Sequence, residues 1–413
     1  MRMHLLMLTK TKKFKQITSL YSSLVLGIII SICVSVINTR LLGPKQYGDL
    51  KFLQNLFIFV ATCSTIGIFI SGGRLLALKE NARIKNQLIG SLFFFASVIS
   101  ILLIVFVFIF SFFEEQIFDN ELGRIIKIFS PLLFVFPFQF CLQNIMQGDN
   151  RIFELSIFNV GPRIFYVFGA ILLNFFIPLS LILALALQFL GFMIFILIMI
   201  VHFRPKFINI KRNLTNIWKE NKIYGLHVYI GILAGVASAQ FGGLTIGYFI
   251  DNLHVGFFSL AITSTMPLAM IPNAVGTTFF KDFANEDVIS GKATVVTIIL
   301  SLVSLLFFLC VIKKVILLLY SEKYSAVIPL TYLISIGSVF HGFGDYVNKF
   351  LGAHGKGREL RNGAIAVGIT NVLGYVILVY EMGVIGAAIT KVLSGLIYFS
   401  MMYYFYRDFR KNL

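Results

Sequence analysis

Five ionisable side chains interrupt long apolar stretches of this chain, and they are the residues best suited to chemistry there. Arg40, Arg163, Lys349 and Lys391 are basic, and Asp345 is the one carboxylate well inside such a stretch. A charge at a bilayer centre costs roughly 2.5–3.5 kcal/mol on insertion scales, so such residues usually face a cavity or a partner. Guanidinium groups bind phosphate oxygens, and a buried carboxylate can exchange a proton or sodium ion.

Arg163 is the strongest candidate for binding an anion. It directly follows Gly161 and Pro162 within an apolar stretch. Because proline frees a backbone carbonyl, we predict a helix break beside a guanidinium that grips phosphate. The alternative is an arginine bonded to freed carbonyls or to a neighbouring asparagine. Arg40, at the outer end of its stretch, either lines a cavity or extends to the headgroups. Lys391 lies too deep in its stretch for its ammonium group to reach the lipid headgroups easily.

Asp345 and Lys349 are four residues apart and therefore share a helix face, with His341 one turn earlier. One interpretation is a mutually neutralised pair. The other is an ion-coupling site in which Asp345 exchanges a proton or a sodium ion. Both remain open from the sequence.

Polar amides form stripes in the apolar stretches. Gln139 and Gln143 lie four residues apart, and Asn159 lies in the following stretch. Such groups either line a polar path or hydrogen-bond between helices, which contributes about 0.6 kcal/mol each.

The elements that carry these residues are apolar segments long enough to cross a bilayer. Hydrophobic residues make up 58% of the chain and charged residues 13%, whereas soluble proteins carry about 25% charged residues. A spanning helix needs roughly 20 residues. We predict an all-α integral membrane protein with twelve transmembrane helices, at residues 18–42, 50–73, 87–113, 122–147, 155–175, 178–203, 225–250, 254–280, 293–320, 325–353, 362–380 and 383–406.

Basic residues are distributed unequally around these segments. Most lie in the N-terminal leader, the C-terminal tail and the even-numbered loops, including Arg74, Lys79 and Arg83. Because positive loops stay in the cytoplasm, we predict that both termini are cytoplasmic. The net charge of +17 follows from the same bias and indicates contact with anionic membrane lipid. We expect no nucleic-acid binding, since no soluble basic domain is present.

The longest hydrophilic break divides the chain into two sets of six predicted helices. We predict an N-terminal lobe at residues 1–203, a basic cytoplasmic linker at 204–224 and a C-terminal lobe at 225–413. An even number of helices per lobe allows a repeat axis along the membrane normal, as in parallel-repeat transporters. The linker contains the only tryptophan, Trp218, and is typical of either an interfacial amphipathic segment or a plain tether.

Several short motifs, in order along the whole chain, resemble those of the polysaccharide-biosynthesis flippases. These belong to the multidrug/oligosaccharidyl-lipid/polysaccharide exporter superfamily. The run through Arg40, Leu42, Gly43, Pro44, Tyr47 and Gly48 is similar to their Arg-x-Leu-Gly-Pro-x-x-Tyr-Gly signature. Further matches are Gln147 and Gly148, residues 320–326, residues 352–356 and residues 383–388.

The resemblance implies two six-helix lobes in a V, as in the related drug exporters. It also implies export of an undecaprenyl-pyrophosphate-linked oligosaccharide, for O-antigen, lipopolysaccharide or capsule, across the bacterial cytoplasmic (inner) membrane. On this hypothesis Arg163, Arg40 and Lys391 bind the pyrophosphate, Gln139, Gln143 and Asn159 contact the glycan, and Asp345 with Lys349 couples a proton or sodium ion. Other glycan-assembly proteins are possible partners.

Two other functions stay open. One is a cation-coupled multidrug exporter of the same superfamily. The other is a multi-span glycan polymerase or ligase, which the short outer loops disfavour. The sequence has no phosphate-binding Gly-x-x-x-x-Gly-Lys loop and no metal-ligand spacing. We therefore expect a transporter rather than an enzyme, without cofactor or metal.

Overall fold

The structure, a computed structural model, describes the backbone of residues 12–411 and the side chains of residues 26–280 and 282–411. This part of the chain is all helical and contains no strand, which confirms the predicted fold class. The leader residues Arg2 and Lys10, and the predicted position of the N-terminus, lie outside the described residues.

Sixteen α-helices follow one another, with short 3-10 segments at Ser130–Phe134 and Glu322–Tyr324 and π-helical turns at Asn221–Gly225 and Leu233–Ala237 in the described chain. The α-helices are α1 (Lys12–Ser64), α2 (Ile68–Ala77), α3 (Ala82–Phe110), α4 (Glu114–Phe118), α5 (Gly123–Phe129), α6 (Val135–Gly148), α7 (Ile152–Asn174), α8 (Leu181–Phe203), α9 (Ile210–Glu220), α10 (Leu226–Ile232), α11 (Ser238–Phe249), α12 (Asn252–Thr278), α13 (Phe280–Phe283), α14 (Gly291–Tyr320), α15 (Val327–Ala353) and α16 (Gly357–Lys411).

Ten continuous helical stretches of the described chain are long and apolar enough to cross a membrane. Two of them contain a glycine outside helical geometry, Gly43 in α1 (φ 71°) and Gly383 in α16 (φ 62°). Dividing the chain at these glycines gives twelve apolar segments. That is the number expected from the sequence, but no membrane boundary is defined, so the count and the side of each terminus stay predictions.

The break in α1 has a local cause. Glycine adopts a positive φ without a steric penalty. The following Pro44 suits the first turn of a new helix, where its missing N–H is not needed. The helix that begins there continues to Ser64, and a second break at Ile66 (φ 46°) and Gly67 (φ 76°) leads into α2. The second predicted span is therefore two helical pieces.

The described chain divides into two compact units. Unit 1 comprises the described residues up to Leu41 together with 63–116 and 121–229, and unit 2 comprises residues 42–62, 117–120 and the described residues from Ile230 onward. Because these units follow packing rather than membrane crossing, the predicted lobes at 1–203 and 225–413 with a linker at 204–224 stay a prediction.

Small residues let helices approach closely within each unit, as is common in membranes. In unit 1 a Cβ added at Gly148 would lie 2.1 Å from the carbonyl oxygen of Gly73. In unit 2 a Cβ added at Gly342 would lie 2.6 Å from the carbonyl oxygen of Ala269. One at Gly395 would lie 2.2 Å from the carbonyl oxygen of Gly337. Helix α15 therefore packs directly on the backbones of α12 and α16.

A further close contact in unit 2 involves the signature motif after Pro44. A Cβ at Gly48 would lie 2.1 Å from the carbonyl oxygen of Asn252, at the start of α12. The Asn252 side chain in turn donates a hydrogen bond to Asp49 (2.9 Å). The Tyr47 ring meets the ring of Tyr324 edge-on. The motif therefore acts here as a packing element.

Candidate functional site

The guanidinium of Arg163 is held by one surface of the first helix in unit 1. Its Nη1 donates to the carbonyl oxygen of Gly27 (3.1 Å) and to the hydroxyl of Ser31 (2.9 Å). The Ser31 hydroxyl donates to the same carbonyl (2.7 Å). The Arg163 side chain is otherwise exposed. No salt bridge among the described side chains includes Arg163, so these neutral groups fix its orientation without neutralising its charge.

The predicted helix break beside Arg163 is wrong. Helix α7 runs without interruption from Ile152 to Asn174 and includes Pro162. Gly161 instead serves packing, since a Cβ there would lie 2.2 Å from the ring of Phe195 on α8. The partners of Arg163 are also neither carbonyls freed by the proline nor a neighbouring asparagine. They belong to a different helix, which spacing within α7 does not reveal.

Arg163 is part of a polar stripe along one face of α7. Asn159 lies one turn before it, and Tyr166 one turn after. Asn159 accepts a hydrogen bond from Gln143 Nε2 on α6 (3.1 Å), and the Tyr166 hydroxyl donates to the buried Asn38 on α1. The Gln143 and Asn159 pair therefore joins two helices, as one of the two interpretations expected. A direct glycan contact for them, or for the half-buried Gln139, stays a prediction.

Arg40 lies farther along α1, beside the end of α7. Its exposed side chain borders a pocket of about 210 Å³ that is otherwise mainly apolar, with Val36, Ile171 and Phe175 among its walls. The structure thus places Arg40 where α1 and α7 adjoin, as it does Arg163, but the pocket beside Arg40 is small. The role of Arg40 in binding substrate stays a prediction.

A second polar cluster lies in unit 2 around Asp345. Its Oδ2 accepts from Asn273 on α12 (2.9 Å), and its Oδ1 accepts from the Tyr398 hydroxyl on α16 (3.1 Å). Gly344 makes room for this contact, because a Cβ there would lie 2.3 Å from the Tyr398 ring. Three helices therefore meet at one carboxylate.

Two further ionisable groups surround this carboxylate. The His341 ring lies on the ring of Tyr398, with centroids 4.7 Å apart, and its buried Nδ1 has no hydrogen-bond partner among the described residues. Lys391, on α16, is near enough that its charge acts on both Asp345 and His341. Two basic groups therefore lie near the Asp345 carboxylate.

Lys349 is not part of this arrangement. The neutralised Asp345 and Lys349 pair does not form among the described salt bridges, and both carboxylate oxygens accept hydrogen bonds from other helices. The Lys349 stem packs beside Gly276 instead. Whether Asp345 and Lys349 couple ions stays a prediction.

Sequence reasoning missed Ser31, Asn273 and Tyr398. Tyr398 follows Lys391 by seven residues and so shares its helix face, and Asn273 is a polar residue beside Pro272 in an apolar segment. These signals were present, but pairing needs the tertiary fold. Among the described residues, no cluster of three His, Cys, Asp or Glu side chains could hold a metal.

Comparison with known proteins decides the family. Residues 14–280 match the family described as polysaccharide biosynthesis protein, which is more than half of the chain. The chain belongs to this family. No curated protein sequence matches it.

The fold is shared with solved flippases and transporters. The lipid II flippase MurJ in an inward closed conformation matches with a TM-score of 0.75 and 14% identity, over 94% of this chain and 87% of that one. An inward-facing MATE family multidrug resistance transporter of the MOP superfamily gives 0.70 and 13%, over 93% and 96%. The MATE multidrug transporter DinF-BH gives 0.67 and 12%, over 95% of both chains.

At 12–14% identity, these matches show that the fold is shared. The similar structures are those of a flippase and of multidrug transporters. The chain is a multi-pass membrane protein.

Proposed function

We propose that this family member is a flippase for a polyprenyl-pyrophosphate-linked oligosaccharide. It moves the lipid-linked repeat unit of an O-antigen, a capsule or a similar glycan from the inner to the outer leaflet of the bacterial cytoplasmic membrane by alternating access. The observation that carries this proposal is the exposed Arg163 side chain, whose guanidinium is fixed on two neutral groups within apolar helices and has no carboxylate partner among the described side chains.

A cation in this position suits a pyrophosphate. Moving a multiply charged phosphate into a low dielectric costs several kcal/mol, which opposite charge and hydrogen bonds offset. Only Nη1 of Arg163 has described hydrogen-bond partners, so Nη2 and Nε are available for phosphate oxygens. Because guanidinium binds phosphate in a bidentate manner, lysine cannot replace its geometry fully. Arg40 and Lys391 are proposed as further phosphate-binding cations.

The Asp345 cluster is proposed to couple transport to a proton or sodium ion. Its support is geometric: one carboxylate, two hydrogen-bond donors and a basic neighbour gather where three helices meet. Such intramembrane carboxylates usually mark ion pathways. Occupancy by a cation would change which donors Asp345 needs, and hence how α12, α15 and α16 pack.

The second candidate is a cation-coupled multidrug exporter. The Asp345 cluster and the fold shared with multidrug transporters support an exporter as much as they support a flippase. Arg163 argues against it, since a fixed positive charge repels the cationic compounds that such exporters commonly carry. Gradient-driven dye efflux without any glycan phenotype would favour this candidate.

The test is glycan display in cells that lack their own copy of the gene. Arg163→Ala should strongly reduce surface glycan and accumulate its lipid-linked precursor at matched membrane abundance. Arg163→Lys should retain part of the display because it keeps the charge. Normal display with the alanine variant would remove the proposed role of Arg163.

A further inference from the structure

The linker at residues 204–224 has a surface that the transport proposal does not use. It contains the basic residues Arg204, Lys206, Lys211, Arg212, Lys219 and Lys222, and its one acidic residue is Glu220. Helix α9 forms its centre. It begins shortly after the apolar helix α8 ends at Phe203, and it continues without a break through the π-helical turn at Asn221–Gly225 into α10. Because α9 joins two apolar helices, it lies beside their ends, where lipid headgroups are expected.

One face of α9, called here the inner face, packs against other residues of unit 1. Ile217 is fully buried. Asn221, one residue beyond α9, donates to the carbonyl oxygen of Ile66 (3.0 Å) and accepts from the Ser71 hydroxyl (3.0 Å). Glu220 forms an ion pair with Arg74. These contacts hold α9 against the break between α1 and α2, so the opposite face is held in a fixed orientation.

The outer face combines positive charge with aromatic and aliphatic groups. Lys211, Thr215, Trp218 and Lys222 follow one another at helical spacing along one edge, and all four are exposed. Arg212 and Lys219 continue the face and are exposed as well. The four basic side chains of this face have no carboxylate partner among the described salt bridges; they are Lys211, Arg212, Lys219 and Lys222. Phe207 and Ile223 are exposed at the two ends, at 58% and 72%.

We propose that this outer face of α9 is a docking surface for the headgroups of anionic phospholipids. Lysine and arginine attract acidic headgroups, and tryptophan favours the level of the bilayer interface. A soluble polyanion would match the charge but would leave Trp218, Phe207 and Ile223 in water. The lipid bilayer satisfies both features at once. Because Asn221 and Ser71 tie the helix to the break at Ile66 and Gly67, bound lipid also restrains that break.

The sole tryptophan of the chain makes this surface directly measurable. The full-length protein is placed in nanodiscs of phosphatidylcholine alone or of phosphatidylcholine with phosphatidylglycerol. In the anionic discs, Trp218 emission should shift to shorter wavelength and lose part of its quenching by acrylamide. Salt near 1 M, where the Debye length is about 3 Å, should reverse much of the shift. Inorganic phosphate added to the neutral discs should not reproduce it.

A charge-matched pair of variants gives the control. Replacing Lys211, Arg212, Lys219 and Lys222 by glutamine should remove the difference between the two lipids. Replacing the exposed Arg358, Arg361, Arg407 and Arg410 by glutamine should leave it intact. The proposal is overturned if wild-type emission is the same in both discs, if phosphate alone reproduces the shift, or if the linker variant keeps the full response while eluting as folded protein.

Discussion

The hydroxyl of Tyr398 donates a hydrogen bond to Asp345 across two packed helices, with the two oxygens 3.1 Å apart. Tyr398→Phe removes this donor but keeps the ring that lies on His341. A carboxylate relieved of one donor binds a cation more tightly, so the sodium or proton concentration that gives half-maximal transport should fall. Transport in membrane vesicles at a series of imposed gradients measures this.

Two further variants test whether that change is specific to the Asp345 cluster. Asp345→Asn should remove the dependence on the gradient altogether, because an amide carries no negative charge and cannot take up a proton. Tyr403→Phe, on the same helix, should behave as wild type, since that exposed side chain forms no hydrogen bond among the described residues. A gradient response that is identical in wild type, Tyr398→Phe and Asp345→Asn would eliminate this cluster as the coupling site.

Ser31 should act only through Arg163. Ser31→Ala removes one of the two acceptors of the guanidinium and leaves the Gly27 carbonyl. Transport should fall to a level between wild type and Arg163→Ala. In a double-mutant cycle, adding Ser31→Ala to Arg163→Ala should change nothing further, because the coupled partner is already absent. Additive losses would mean that Ser31 has a separate role.

The Gly48 contact should be required for stability. A Cβ there would lie 2.1 Å from the Asn252 carbonyl oxygen, and backbone cannot yield as a flexible side chain does. Overpacking of this kind costs about 1–3 kcal/mol. The melting temperature of Gly48→Ala in detergent should therefore be lower than that of wild type. Gly291→Ala is the matched control, since nothing lies within 4 Å of the added Cβ, and it should melt at or above the wild-type temperature.

Asp149, in the turn between α6 and α7, should make stability depend on pH. Burial raises the pKa of this carboxyl, but bonds from Lys85 Nζ (2.5 Å) and Arg151 Nε (2.6 Å) outweigh that effect and lower the pKa below its ordinary 3.8. The stabilisation is therefore complete above 3.8 and is lost as pH falls through the lower folded-state value.

The measurement compares the melting temperature of wild type and Asp149→Asn across pH. Near neutral pH the variant should be less stable by roughly 1.5–3 kcal/mol, the usual range for hydrogen bonds to charged groups. The difference should shrink on acidification below 3.8. A difference that stays constant to strongly acid pH would show that the two ion pairs contribute nothing.

Sequence reasoning succeeded where a local rule decides the outcome. Hydropathy identified the apolar segments, and the breaks at Gly43 and Gly383 fall at the edges of predicted segments, one of which ends at residue 42 and another of which begins at residue 383. It failed at Pro162, because α7 includes the proline without a break, and Gly161 packs on Phe195 instead of opening the helix. It also paired Asp345 with Lys349 as one alternative, since helical spacing reveals neighbours on the same helix only.

The central claim is that the Arg163 cation recognises a pyrophosphate. The most direct measurement reconstitutes purified protein in liposomes and follows flipping of a polyprenyl-pyrophosphate oligosaccharide beside the same glycan on a neutral polyprenyl lipid. Wild type should flip the pyrophosphate lipid faster, and Arg163→Ala should remove that preference while Arg163→Lys keeps part of it. Equal rates for the two lipids in wild type, or an unchanged preference in Arg163→Ala, would contradict the account.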